Sequence, residues 1–370
     1  MAVLLKDIYN REFLSDFGSK IQSVYKPFNT AIFIDVVMDK EWNNLPLKAR
    51  MRKITKSLGP LLPGSYKKAI QILSGIADNC VGFPYLIFPD FVAFYGLEEK
   101  NWELSMQTLE YFTQKSSAEF AIRSFILKDP KKVMKQMKAW AKNSNEHVRR
   151  LSSEGCRPRL PWGESLPVFK KDPAPVFAIL ELLKDDSSLY VRKSVANNLN
   201  DISKDNPDMV LSTAKRWKGV SPNTDWIIRR GCRTLVKKAN SQALKLFNYA
   251  SPSVKDPLVS GVSLSLQPQK LHIGDSGEIR YNLTVRLGKP IHIRIEYGID
   301  FVKANGHISH KAFLISDKTI EGGLSISGTR LHRWVDLTTR RHYPGEHKIT
   351  LVVNGQEIAT KTLKLLSKKN

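Results

Sequence analysis

Two acidic residues stand where helices disfavour them. In EHVRRLSSEG, which begins at Glu146, helical patterning runs through Ser-Ser-Glu-Gly, putting Glu154 in a last turn with Gly155 as the expected stop. A carboxylate there opposes the helix dipole at roughly 0.3–1 kcal/mol. Arg150 lies four residues earlier, the less favourable order for pairing with Glu154. In LYVRKSVANNLNDIS, Val191, Val195, Leu199 and Ile202 make an apolar stripe, and Asp201 lies off it, one turn from Asn197 and near Ser194 and Asn198. Acids placed against local preference are candidates for work that needs negative charge: stabilising a cationic centre or positioning water. A local Arg150–Glu154 ion pair and an ordinary solvated polar stripe are the alternatives.

Two further residues join them. Glu119 ends Ser116-Ser117-Ala118-Glu119, which also reads as a capping box with Ser116 as N-cap and Glu119 reaching back to it. Trp162 sits in GCRPRLPWGESLP, residues 155–167, a loop restrained by three prolines. There it either caps the core beneath or presents an aromatic face to a ligand, with Arg157 and Arg159 holding phosphate beside it.

The elements that must carry these residues repeat. EHVRRLSSEG, LYVRKSVANN and DWIIRRGCRT align on a β-branched residue followed by two cations: Arg149 and Arg150, Arg192 and Lys193, Arg229 and Arg230. Their spacings, 43 and 37 residues, resemble the period of HEAT-like helical repeats, in which each pair buries its apolar face on the next. Stacking predicts a ladder of cations able to follow a phosphate backbone, against the alternative of solvated helix faces. From about residue 258 the pattern changes to alternation, as in GEIRYNLTVRL and IHIRIEYGI, which predicts a seven-strand immunoglobulin-like sandwich. The expected plan is multidomain α + β: an all-α HEAT-like solenoid over 1–250 and an all-β sandwich over 258–370, with ASPSVKDP (250–257) as the boundary.

Of 370 residues, 58 are Lys or Arg and 35 Asp or Glu, a net charge of +23 that attracts a polyanion. The excess is shared, with 18 basic and 10 acidic residues in 251–370 and the remaining 40 and 25 in 1–250. The longest apolar run, Cys80 to Gly96, is broken by Pro84, Pro89 and Asp90 and does not read as a bilayer span. Charges near the N-terminus argue against a signal peptide. Three scattered cysteines fit a reducing cytoplasm, and His307 and His310 lack further ligands, so neither metal nor cofactor is expected.

The motifs SSAEFAIRSFI around Glu119, EHVRRLSSEGCRPRLPWG with Glu154 and Trp162, and YVRKSVANNLNDISKDNP with Asp201 resemble the AlkC/AlkD superfamily of bacterial alkylpurine DNA glycosylases. The AlkC branch is the nearer, because its members carry a C-terminal immunoglobulin-like domain. The resemblance implies that Glu119, Glu154, Trp162 and Asp201 surround the deoxyribose of a lesion left largely stacked, while Arg150 and the ladder cations hold the backbone. It also implies that the β domain touches DNA. The candidate loops there are KANGHISHK, with Lys303, His307 and Lys311, and TTRRHYPG, with Arg340 and Arg341. The expected activity is monomeric, cofactor-free hydrolysis of the N-glycosidic bond of 3-methyladenine and 3-methylcytosine in duplex DNA. An N3-alkylated base is already a cationic leaving group, and its loss leaves an oxocarbenium-like sugar that carboxylates stabilise. Two other classes fit the same basic array: a non-catalytic binder of bent or damaged DNA, and a scaffold for an acidic protein.

Overall fold

Short polar side chains set the starts of the helices. Asn10, Asn29, Asp129, Asn145 and Ser188 each accept a backbone N–H from the first turn that follows, which satisfies donors the helix itself cannot. The computed structural model describes residues 4–251, 256–337 and 340–369. The chain divides into two units, Met1–Gly231 and Cys232–Asn370.

The first unit is helical: α1 (Arg11–Val24), α2 (Thr30–Val37), α3 (Leu47–Leu58), α4 (Tyr66–Ile76), α5 (Ile87–Tyr95), α6 (Trp102–Phe112) and α7 (Ile122–Lys128). It continues with α8 (Pro130–Trp140), α9 (Glu146–Gly155), α10 (Pro167–Lys171), α11 (Ala174–Leu183), α12 (Leu189–Ile202), α13 (Pro207–Trp217) and α14 (Pro222–Gly231). α12 packs against both α9 and α14. That double contact explains why Ser194, Asn198 and Asp201 are buried along with the apolar stripe.

Repetition extends to side-chain contacts. Arg149 donates to the carbonyls of Asn143 and Ser144, at 3.0 and 2.7 Å. Arg192 does the same to Asp186 and Ser187, both at 2.7 Å. In each case the guanidinium reaches back five and six residues and satisfies the loop before its own helix. A second pair of equivalents was not visible in the sequence: Trp140 and Trp217 donate their indole N–H to Glu110 (2.7 Å) and Glu181 (2.8 Å) on preceding helices.

α9 ends at Gly155, as expected, but for another reason. The glycine is the last residue of α9 rather than a left-handed stop beyond it. A Cβ there would lie 2.6 Å from Ile122 Cγ2, so glycine is needed for close approach of α7, not for a turn. The capping box is also overturned. α7 begins at Ile122 after Ala121, and Ser116 makes no cap. The reason is that Glu119 is drawn to Arg150, 31 residues on, rather than back to its own backbone.

The second unit opens with two short helices, α15 (Arg233–Lys237) and α16 (Ser241–Leu246), followed by a β-sandwich. Its strands are β1 (Val259–Gln267), β2 (Lys270–His272), β3 (Ser276–Val285), β4 (Ile291–Val302), β5 (Ile308–Ile320), β6 (Ser325–Arg333), β7 (Gly345–Val353) and β8 (Gln356–Leu366). One sheet has the order β1-β3-β6 and the other β2-β8-β7-β4-β5. Ile279, Tyr281 and Leu283 of β3 and Ile293, Ile295 and Ile299 of β4 fill the core around Trp334, as period-two alternation requires. Among the described residues there are eight strands where seven were expected. The extra one is β2, three residues parallel to β8, formed because the chain leaves its first sheet around Pro268, which has no N–H to donate to a ladder. Residues 252–255 of the expected boundary, and Thr338 and Thr339 of the TTRRHYPG loop, lie outside the described residues.

Candidate active site

Helices α9 and α12 bring the two misplaced acids together through one arginine. Arg157, just past the end of α9, donates Nη1 to Glu154 Oε1 at 2.6 Å and Nε to Asp201 Oδ2 at 2.8 Å. Ser194 of α12 donates to the other Glu154 oxygen at 2.7 Å. On the far side, Arg150 contacts Glu154 Oε1 at 3.5 Å and pairs with Glu119, which also accepts from Ser117 at 2.6 Å. Glu154 and Asp201 are 6% and 3% exposed, and each has the ion pair and hydrogen bonds that a buried acid needs. Burial works against the charges of Arg150 and Arg157, but the carboxylates outweigh it and both guanidinium pKa values are raised. Three carboxylates therefore enclose two guanidinium groups, with the partly exposed Lys204 at the outer oxygen of Asp201, 3.2 Å away. The Arg150–Glu154 pair, read from sequence as the bland alternative, is one contact of this larger network.

Glu119, Glu154 and Trp162 line one cavity of about 660 Å³ with Phe83, His147 and Tyr190. The described lining of this cavity does not include Asp201, which sits behind Arg157. The Arg150 guanidinium carbon lies over the Tyr190 ring, 4.9 Å from its centroid.

Trp162 is 61% exposed, so it does not cap the core. Its φ of 62° is a left-handed conformation that bulky residues avoid, at a cost of order 1–3 kcal/mol. The ring meets Phe83 edge-on, with centroids 6.4 Å apart. The loop that carries it closes on itself through Leu166 N–H to Pro158 O (3.1 Å) and Gly163 N–H to Leu160 O (3.0 Å). Two cations from elsewhere reach it. Arg123 of α7, 1% exposed, donates to the carbonyls of Glu164 (2.5 Å), Gly155 (2.9 Å) and Arg157 (2.9 Å), and burial lowers its pKa to about 10. Lys48 of α3 donates to the Trp162 carbonyl at 2.7 Å. Neither was singled out from the sequence. A cation inside the apolar run AIRSFI was the available signal for Arg123, whereas nothing local marks Lys48.

The expected phosphate ladder divides. Arg149, besides its two carbonyls, pairs with Asp186 at 2.7 Å, and its side chain is 16% exposed; Arg192 is likewise turned onto its loop. Both are committed to the fold, because loop carbonyls facing the helix starts need donors. Arg150 and Arg157 are committed to the acidic cluster instead of projecting outward. Arg159 is bidentate to Asp205, at 2.6 and 2.9 Å, and 38% exposed. Lys193 and Arg230 are exposed and Arg229 is half-buried, with Arg230 5.6 Å from the centroid of the Trp226 ring. The ladder that remains outward is thus its second column, without Arg150.

In the second unit, Lys303 and His307 close the β4–β5 turn through Lys303 N–H to His307 O at 2.9 Å. His307, Lys311 and Arg341 are exposed. Arg340 is turned inward over Phe301, 4.6 Å from the ring centroid, beside His332 and His342, whose pKa values burial lowers to about 4. Among the described residues, no group of His, Cys, Asp and Glu is arranged to hold a metal, and no helix is long and apolar enough to cross a membrane.

Comparison with known proteins adds the following. Residues 96–235 match the family described as DNA alkylation repair enzyme, and residues 261–367 match that described as uncharacterised protein YhaZ, C-terminal Ig-like domain. The protein YhaZ of Bacillus subtilis (strain 168) is 46% identical over 352 residues, 95% of this chain and 96% of its own length. The structure of the Pseudomonas fluorescens alkylpurine DNA glycosylase AlkC, bound to DNA containing an abasic site analog, is 37% identical with a TM-score of 0.92, covering 98% of this chain and 100% of that one.

Proposed function

The chain belongs to the AlkC/YhaZ-type family of alkylpurine DNA glycosylases, and from that premise we propose that it hydrolyses the N-glycosidic bond of cationic N3-alkylated bases, 3-methyladenine first and 3-methylcytosine second, in duplex DNA without full base flipping. The observation that carries this reading is that Glu119 and Glu154 line one cavity with an exposed, strained Trp162 in a protein of net charge +23. A surface built only to hold phosphate gains nothing from buried carboxylates there.

The chemistry follows from charge. As the bond to a cationic base lengthens, positive charge moves from the base to the sugar, and the base leaves neutral. Glu154 and Glu119 face that developing charge, and electrostatic stabilisation of this kind requires no reorganisation when the carboxylates are already fixed. Arg150, Arg157 and Ser194 fix them. Asp201 acts through Arg157: by taking its Nε, it draws part of the guanidinium charge away from Glu154. Trp162 lays its π face against the sugar and excludes solvent, and one carboxylate orients the attacking water. Lys193 and Arg230 follow the backbone, and Lys303, His307, Lys311 and Arg341 give the β domain its contact with the same polyanion. A more stable lesion such as N7-alkylguanine depends more on this assistance and reacts more slowly.

The test is release of free 3-methyladenine from methylated duplex DNA by the purified chain. Wild type releases it and Asp201→Asn releases it more slowly at unchanged DNA affinity. A wild-type protein that binds this DNA and releases no base refutes the glycosylase reading and leaves the non-catalytic binder.

A further inference from the structure

Between α9 and α10 the chain makes a nine-residue loop, 158–166, whose base and tip are each closed by one backbone hydrogen bond. The inner bond, Gly163 N–H to Leu160 O, closes a four-residue turn with Pro161 and Trp162 at its centre. Trp162 takes the third position, where a type II turn requires positive φ, and its φ is 62°. Glycine suits that position and a bulky tryptophan does not, so the turn sets the sign of φ but leaves strain at Trp162. The Phe83 ring, at 6.4 Å, supplies a contact for the side chain but none for the peptide.

We infer that Arg123 and Lys48 are positioning residues for the reaction: together they tie down the loop carbonyls so that the Trp162 ring stands at a set distance from Glu154. Arg123 links the end of α9, one residue after Glu154, to the far side of the loop by binding the carbonyls of Gly155, Arg157 and Glu164. Among the described residues it has no hydrogen bond to a carboxylate, and its Nη2 is buried without a partner. A guanidinium so buried is costly to keep, and all of its described hydrogen bonds go to this one segment. Lys48 holds the peptide of Trp162 itself, from α3, 114 residues upstream. Its ammonium is 5.0 Å from the centroid of Phe120, the residue after Glu119. One tie therefore sets the loop on the Glu154 side and the other on the Glu119 side.

This inference rests on the glycosylase reading, and its test separates the two. Single-turnover release of 3-methyladenine is measured for Lys48→Met, Lys48→Arg, Trp162→Ala and the Lys48→Met/Trp162→Ala double variant, with binding to duplex DNA containing an uncleavable abasic-site analog measured alongside. Lys48→Met should slow release about fivefold, the worth of one hydrogen bond of about 1 kcal/mol, with DNA affinity and its salt dependence unchanged. Lys48→Arg, which keeps a donor, should recover most of the rate. In the Trp162→Ala background Lys48→Met should change nothing, since its effect passes through Trp162. Equal loss in both backgrounds, no loss at all, or a salt slope lowered by about 0.9, the mark of a lost phosphate contact, overturns the inference. Arg123→Met should slow release further but also lowers stability, so Lys48 decides. A spectroscopic arm works even for a protein that releases no base. The Trp162 contribution to fluorescence anisotropy, isolated by subtracting Trp162→Phe, should show more fast local motion in Lys48→Met. An unchanged decay refutes the tie whatever the fate of the glycosylase reading.

Discussion

Removing the charge of Glu154 while keeping its shape is the sharpest probe of the acidic cluster. Glu154→Gln is isosteric: its one oxygen must keep the place of Oε1, facing Arg157, and its amide NH2 then faces Ser194 Oγ, now 2.7 Å from the carboxylate, which can turn from donor to acceptor. Arg157 at 2.6 Å and Arg150 at 3.5 Å stay where they are. The variant therefore loses an attraction for the developing sugar cation and keeps two neighbouring repulsions. A unit charge about 4 Å from a developing cation, at an effective dielectric near 20, is worth up to roughly 4 kcal/mol. Because the guanidinium groups remain, the loss should lie in the upper part of that range, on the order of 3 kcal/mol, or about a hundredfold in rate. The assay is single-turnover release of 3-methyladenine with enzyme in excess, and binding to the uncleavable abasic-site analog as the control. Binding should change little or tighten, since removing a negative charge favours a polyanion. Ser194→Ala, which removes one donor to the carboxylate without touching its charge, should cost about tenfold or less. Release by Glu154→Gln within threefold of wild type, at equal affinity, refutes the argument that this carboxylate carries the chemistry.

The remaining predictions concern strain, the divided ladder and pH. Trp162→Gly relieves the φ of 62° and should raise stability by about 1 kcal/mol, or about 2–4 °C in Tm, while slowing base release; a lower Tm by calorimetry would remove the claim of strain. Arg149→Met, which breaks the Asp186 pair and two loop contacts, should lower Tm and leave the salt slope of DNA binding unchanged. Lys193→Met should do the reverse, lowering the slope by about 0.9, and a filter-binding titration against salt distinguishes them. Glu181 has its pKa pulled down from 4.5 to about 2: burial opposes this, and hydrogen bonds from Lys184, Arg216 and Trp217 outweigh it. Its folded pKa lies below the unfolded value, so its contribution is complete above about pH 5 and is lost as pH falls from 4.5 toward 2. The Tm difference between wild type and Glu181→Gln should shrink over that window, and a difference that grows on acidification would reverse the sign.

How much of this was readable in the sequence depends on the range of each interaction. The helices around Glu154 and Asp201 were readable because their apolar stripe repeats within each segment, as Val191, Val195, Leu199 and Ile202 do in α12. The sandwich was readable because alternation is a property of each strand alone, as in β3. What failed was the competition between a local and a distant partner. Ser116–Glu119 satisfies every local criterion for a capping box, yet a guanidinium 31 residues away is the stronger partner for a carboxylate. The first cations of two of the three repeats, Arg149 and Arg192, were misjudged for the same reason. Arg149 and Arg192 look identical to solvated helix cations until the preceding loop folds back and offers carbonyls five and six residues upstream.

The site residues were partly visible for a physical reason that bears on the reaction itself. Glu154 and Asp201 stood out because each ends a helix with the wrong charge, and the structure shows what compensates: one guanidinium, Arg157, shared between both. A helix C-terminus is already negative, so two such termini, each bearing a carboxylate, concentrate negative potential where α9 and α12 end. Arg157 is divided between Glu154 and Asp201, and Arg150 between Glu119 and Glu154. Among the described residues Glu154 is the one acid touched by both arginines, and it also faces the cavity. The sharing holds every carboxylate rigid by hydrogen bonds, and the third cation of the cluster, Lys204, pairs with Asp201 rather than with the two acids that line the cavity. Stabilising a transient cation demands that combination, because a carboxylate free to move would have to be reorganised and one fully neutralised would have nothing to offer.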